Sequence, residues 1–371
     1  MNDLHGIIFA YRSNPDLRQL TQHRTTCSIP LGGRYRLVDF MLSNLVNAGV
    51  TDVGLVVHSA YQSLLDHVGS GKDWDLSRKH GGLKILPPFG YGDRPGSGEY
   101  QGRMDALAGV RSYLDGIHQE HVVLANGDIV ANLPLADVYA QHLKTGADIT
   151  CVCTTTPVGA PRSSTYFSVG DNGFVSDVSV HPASAVGCES LEVYLLSKTL
   201  LLTLVDYCSA HRVLSFGQGV LQAMVSTLKI SPYTFDGYAA RFHSLSTYFS
   251  RSMELLDPKT RNGLFDPARP IKTKDRSNPS TYYGPGAVSK NSLIADGCLI
   301  GGTVENSILS RGVRVAPGAV VSNCILMQGT KVGAGATLKF AIADKGVSVS
   351  PGRMLMGHSS YPIAIEKDTV V

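Results

Sequence analysis

The sequence predicts an α/β chain in two parts: a doubly wound N-terminal domain, then a parallel β-helix of hexapeptide repeats. Three observations predict it. Short apolar runs rich in β-branched residues alternate with helical segments up to about residue 250. The texture then turns to Pro, Lys and Arg, as in an exposed connector. From Gly286 onward, single aliphatics return every six residues in a background of glycine and small side chains.

Taken in order, Ile7-Ile8-Phe9-Ala10 has the size of a buried parallel strand and feeds a polar loop. That is where α/β proteins hold phosphate. Leu42 to Ala48 reads as a helix and Val53 to Val57 as the second buried strand. Residues 69–103 are rich in Gly, Pro and charge, and read as loops over an active-site mouth. A helix over Asp105 to Leu114 follows, then a strand at Val122 to Ala125, the turn Asn126-Gly127-Asp128, and a helix ending near Thr145. A strand at 148–154, hairpin-like segments around 165–180 and apolar Leu191 to Leu196 continue a sheet expected to be parallel. The expected divisions are a domain at 1–250, a linker at 251–285 and the β-helix at 286–371. In the last, Val288, Ile294 and Ile300 stand six apart. Val313, Ala319 and Ile325 repeat the interval, as do Ala336 and Ile342, with phase slips near Glu305-Asn306 and Lys331. One aliphatic per face should then point inward. A Gly-rich antiparallel β domain is the alternative.

At 371 residues and 43% hydrophobic, the chain can bury two cores. A net charge of +3 gives no electrostatic case for nucleic acid or a membrane surface. No window reaches the ~18 apolar residues of a membrane span, and MNDLHGII lacks the basic start of a signal peptide, so a cytoplasmic location is expected. The 7 cysteines are scattered, which favours reduced thiols over a disulfide framework. Cys151 and Cys153 alternate on an apolar run and read as two core thiols on one strand face. No second pair or nearby His completes a tetrahedral metal set around them.

The stretch Gly32-Gly33-Arg34-Tyr35-Arg36-Leu37-Val38-Asp39-Phe40-Met41-Leu42-Ser43-Asn44 resembles the N-terminal signature of glucose-1-phosphate adenylyltransferases. These ADP-glucose pyrophosphorylases make ADP-glucose for glycogen and starch. The resemblance covers nearly the whole chain. It implies a nucleotidyltransferase-like, Rossmann-like first domain and a left-handed parallel β-helix after it. Where catalytic members carry LAGGxGTRL, this chain has Phe9-Ala10-Tyr11-Arg12-Ser13-Asn14-Pro15-Asp16-Leu17, with no insertion or deletion.

Glycines in such a loop let backbone N–H groups approach phosphate oxygens. Tyr11, Arg12 and Asn14 put side chains there instead. Asp16 stands where the family has a phosphate-binding arginine, and repels phosphate by roughly 1 kcal/mol in water at ~4 Å, or about 4 at an effective dielectric of 20. Thr26 replaces the lysine of RAKPAV. Asp128 matches the family aspartate that helps hold catalytic magnesium, or caps the turn after its strand. The second carboxylate of GYWRDVGT corresponds to Arg241, which reverses the charge of half the metal site. GTADA becomes Gly102-Arg103-Met104-Asp105-Ala106. The lysine of FVEKP becomes His181, and the aspartate of HDFG becomes Ser215. These changes fall where transition-state charge has to be stabilised.

The resemblance therefore implies a non-catalytic, regulatory or stabilising subunit with no metal or cofactor of its own. Its partner would be a catalytic homologue that carries magnesium, in a heterotetramer, with homo-oligomers when alone. Arg24 and Arg36 match residues near the family's regulatory region, where sugar phosphates, nucleotides or phosphate bind, and Arg353 is a further candidate. Arg36 pairing with Asp39 is the alternative there. His23 and Pro30 depart from that region's pattern. Three other readings stand beside the preferred one. A divergent active transferase would hold phosphates with Arg12, Arg18 and Arg241. An acyltransferase built on the β-helix has only His358 after His243 to work with. A sugar-phosphate sensor would need no enzyme partner.

Overall fold

The computed structural model describes residues 3–88 and 100–371, which divide into two compact units. The first comprises 1–12, 38–240 and 266–272; the second comprises 13–37, 241–265 and 273–371.

The first unit is built on a sheet of nine strands. Its centre is β1 (Leu4–Phe9), buried at every residue because both faces are covered, which is why the run shows no polar alternation. The helix α1 (Leu37–Asn47) returns the chain to β2 (Asp52–Val56), parallel to β1 in the register Gly6↔Val53 to Phe9↔Val56. Beyond it lies β3 (Gly82–Leu86), parallel to β2. This strand falls inside the segment read from sequence as loop. Lys84 and the flanking glycines interrupt its apolar run, so no pattern announced it. Residues 89–99 of the same segment lie outside the described residues.

On the other side of β1 runs β4 (His121–Asn126), also parallel. The helix expected over 105–114 is two short ones, α2 (Arg103–Gly109) and α3 (Arg111–Asp115), separated at Val110. After α4 (Leu135–Thr145) come β5 (Ile149–Thr154) and the antiparallel hairpin β6 (Thr165–Val169) and β7 (Val175–Val180). The long β8 (Cys188–Ser197) is antiparallel to both β4 and β5. The sheet is therefore mixed, where a parallel one was expected. An apolar run has the same composition whichever way its neighbour points, so strand direction is not written in it. Ser197 then caps α5 (Lys198–Ala210) by accepting the Leu200 N–H at 3.1 Å, a bond worth about 1 kcal/mol. The last strand, β9 (Ile230–Thr234), pairs parallel with β5. Cys151 and Cys153 lie fully buried on β5, as a strand-face pair. Asp39, on α1, is buried and lies 2.6 Å from His67 Nε2.

In the second unit, three parallel sheets of five strands each form the left-handed hexapeptide β-helix. Ile300, Val315, Val332 and Val349 stack inward from one sheet, Val304, Val321 and Leu338 from the next, and Leu309, Leu326 and Ala343 from the third. Asn291, Asn306 and Asn323 follow equivalent strands with φ of 43°, 45° and 51°. Asparagine tolerates the left-handed region better than most side chains, and it turns these three coils; Phe340 takes the same position in the next, with φ of 50°. Ile325 and Ile342 depart from the six-residue reading, because their strand neighbours Leu326 and Ala343 are the ones that face inward; Val288 departs too. It is 49% exposed and shares an outward row with Thr303 and Val320. The unit also holds a helix at Leu245–Met253, across the boundary read at 250, and one at Pro258–Leu264, within the stretch read as connector. A hairpin pairs Pro30–Leu31 with Tyr35–Arg36 around Gly32 and Gly33, whose φ of +58° and +82° a side chain would resist.

Candidate functional site

Open α/β sheets take ligands where neighbouring strands leave in opposite directions, beyond their carboxyl ends. In the first unit that place is between β1 and β4. The Gly127 N–H donates to Phe9 O at 3.1 Å and the Ala10 N–H to Val56 O at 2.9 Å, so the two strand ends are held together. Tyr11 turns its ring inward. Its centroid lies 6.2 Å from Phe9 and 5.3 Å from Tyr100, both edge to face, and His58 also meets Tyr100 edge to face at 5.4 Å. Burial, then Asp105 and Tyr11, pushes the Tyr100 hydroxyl up to about 12. Arg12 is exposed. At the end of β4, Asp128 caps nothing: its Oδ1 is buried with no hydrogen-bond partner among the described residues.

Magnesium, which the resemblance implies for catalytic members, needs several oxygen ligands. Asp128 offers an orphaned oxygen. Among the described residues, no three His, Cys, Asp or Glu side chains converge on a point.

The other sequence candidates of this unit do not join the crevice through any side-chain bond. His181 follows β7, is exposed, has φ of 55° and donates its N–H to Ser164 O at 2.9 Å. Ser215 Oγ accepts the Gln218 N–H at 3.2 Å, at the start of a π-helical turn over Gly217–Gln222. Arg103, seen in sequence only as a departure from GTADA, is instead the most heavily partnered charge here. Its Nη2 donates to Glu192 Oε2 at 2.7 Å and to Asn126 Oδ1 at 2.9 Å.

In the second unit, two of the altered phosphate positions bond to each other. The Asn14 N–H donates to Thr26 Oγ1 at 3.1 Å, and Asn14 Oδ1 accepts the Asp16 N–H at 3.1 Å. Thr26 is 1% exposed, while Asp16 lies in solvent. Arg241 Nε and Nη2 are buried without hydrogen-bond partners among the described residues.

A basic cluster also forms in this unit. Arg24, 2% exposed, places Nη2 3.0 and 2.7 Å from the two carboxylate oxygens of Asp344, and Arg36 is buried as well. Lys345 follows Asp344 in a β-helix turn. Its ammonium is pushed down to about 7, first by burial and then by Arg36 and Arg24, with Asp344 opposing and Arg276 adding to the repulsion. Sequence reading found Arg24 and Arg36 but missed Lys345, Arg276 and Asp344, which belong to no motif. Arg353 is exposed and is not among the charges acting on Lys345.

With this geometry in hand, comparison with known proteins gives consistent matches. Residues 7–238 match the nucleotidyl transferase family, and residues 281–360 match the C-terminal hexapeptide of GlmU-like proteins. A glycogen biosynthesis protein GlgD of Geobacillus stearothermophilus is 39% identical over 372 aligned residues, covering 100% of this chain and 97% of the relative. A GlgD of Bacillus subtilis is 35% identical over 85% of this chain and 82% of its own. A glucose-1-phosphate adenylyltransferase of Halalkalibacterium halodurans is 29% identical over 84% of this chain and 82% of its own.

Proposed function

Because the chain belongs to the nucleotidyl transferase family, as a relative of GlgD and of glucose-1-phosphate adenylyltransferases, we propose that it acts in glycogen biosynthesis as a non-catalytic subunit. It pairs with a catalytic homologue in a mixed oligomer, in the cytoplasm, and regulates or stabilises that partner. A subunit of this kind works by presenting an interface and shifting its partner's conformational populations. One observation carries the reading: Tyr11, at a phosphate-loop glycine position, packs its ring on Phe9 and Tyr100. An aromatic side chain there fills the space in which backbone N–H groups would meet phosphate.

Effector sensing belongs to the same proposal. Arg36, Arg24 and Arg276 repel the Lys345 ammonium more than Asp344 attracts it, which gives that ammonium a positive setting. A phosphate- or sulfate-bearing anion complements it.

The test is a pyrophosphorolysis assay on ADP-glucose. The pure chain gives no turnover, and adding it to a catalytic glucose-1-phosphate adenylyltransferase raises that enzyme's activity. Turnover by the isolated chain at a rate comparable to its catalytic relatives overturns the proposal. One observation favours the second reading, a divergent active transferase: the orphaned Asp128 Oδ1. Isothermal titration with ATP and magnesium separates the two, since an active transferase binds both.

A further inference from the structure

Arg103 is 5% exposed, and the proposal above makes no use of it. Three elements and a loop supply the groups around its guanidinium. Phe9 ends β1, Asn126 ends β4, Glu192 and Tyr194 lie on β8, Phe216 precedes the π-helical turn, and Arg103 itself opens α2. The guanidinium carbon lies 5.0 Å from the Phe9 ring centroid, 5.1 Å from Tyr194 and 5.8 Å from Phe216. Three aromatic faces, a carboxylate at 2.7 Å and an amide oxygen at 2.9 Å form a cage for a planar cation.

The backbone is bent to build it. Glu192 has φ of +57°, and it sits where the pairing of β8 with β5 breaks register between Ser190 and Val193. A non-glycine residue adopts that conformation at a cost. Here the Glu192 N–H is held by Ser190 Oγ at 3.0 Å, and the carboxylate is aimed at Arg103. The location is the switch point between β1 and β4, the ligand position of this class of sheet.

We propose that this crevice is a guanidinium cage which the chain fills with its own Arg103, closing the sheet's ligand position from within. The inference rests on the non-catalytic reading and gives it a second physical basis, since the position is both occupied and charge-balanced. The ligand class is a small guanidinium cation, admitted once the Arg103 side chain is shortened.

The experiment is chemical rescue of the full-length chain, read by thermal melting. Arg103→Ala melts below the wild type, and guanidinium chloride at low millimolar concentration raises its melting temperature with saturation. The wild type shows no such rise, and neither urea nor tetramethylammonium reproduces it. Rescue disappears in Arg103→Ala/Glu192→Ala, which lacks the carboxylate. No guanidinium response in Arg103→Ala, or an equal one from urea, overturns the cage. Should Arg103→Ala fail to fold, phenylglyoxal labelling of the native wild type decides: Arg103 stays unmodified while the exposed Arg12 and Arg353 react, and equal labelling overturns closure. Melting and labelling read closure rather than turnover. A rescued variant alongside a catalytically active wild type would remove the non-catalytic reading and leave the cage standing. An inactive wild type without rescue would do the reverse.

Discussion

Two buried clusters of charge stand in this chain, and they are finished to different degrees. Around Arg103 a carboxylate, an amide oxygen and three rings account for the guanidinium. Burial is the largest influence and would weaken its hold on the proton, but Glu192, Tyr194 and Tyr11 together outweigh it and hold Arg103 above its usual pKa. Around Lys345 the balance runs the other way: burial and three arginines push its proton off, with Asp344 opposing. A buried charge is stable when paired and hydrogen-bonded, and otherwise surrenders its proton. The first cluster is therefore complete as it stands. The second leaves the Lys345 ammonium in a repulsive setting, which makes it the place to look for the proposed effector.

The largest effect expected from breaking this contrast lies at the Arg24–Asp344 ion pair of the second cluster. Arg24→Ala leaves Asp344 without its 2.7 Å partner, both side chains being almost wholly buried. Removing one member of a buried pair costs about 3–5 kcal/mol. Urea unfolding of the variant should show a loss of that size. A loss below about 1 kcal/mol would mean that the pair is far more solvated than its geometry indicates.

A smaller effect, with a definite sign, belongs to Lys345. The unfolded chain keeps this proton up to the ordinary 10.5, the folded one only up to about 7. Between those values the unfolded state binds more protons, so stability rises with pH. Below about 7 the penalty is fully present. An anion seated beside Lys345, Arg24, Arg36 and Arg276 relieves that penalty. Sulfate should thus raise the melting temperature more at pH 6 than at pH 8.5, and Lys345→Met should flatten the difference. Equal stabilisation at both values, in wild type and variant alike, would place the anion elsewhere.

How much of this was legible in the residues follows from the range of each interaction. β1 and β4 are fully buried central strands, so their apolar runs stand out. The six-residue interval marked the β-helix, but Val288, on the exposed first coil, and Ile325 and Ile342, each beside an inward-facing neighbour, broke the inward rule. β3 was hidden by Lys84 in mid-strand, and the antiparallel course of β8 by the indifference of composition to direction. Tyr11, Asn14 and Thr26 were readable as substitutions, but the bond between the last two was not. The cage lay further from view, because Arg103 and Glu192 are 89 residues apart and the bulge that aims Glu192 has no composition of its own. Lys345 and Arg276 were missed for the same reason: their charge matters only once the coils bring them near Arg24 and Arg36.

The smallest effect sharpens the comparison by what it leaves unchanged. Arg353 was named with Arg24 and Arg36 because it is basic and late in the β-helix. Its side chain is exposed, and it does not figure among the charges that act on Lys345. A solvated arginine of this kind contributes little to stability, and replacing it usually shifts unfolding by no more than about 0.5 kcal/mol. Its Coulomb reach is also short, since charges in water are screened over about 8 Å at physiological salt. Arg353→Ala should therefore melt with the wild type and keep the full pH-dependent sulfate response. If that response falls in Arg353→Ala as it does in Lys345→Met, the anion is held by an arrangement of the last coils other than the one described. In that case the unfinished cluster is not its seat.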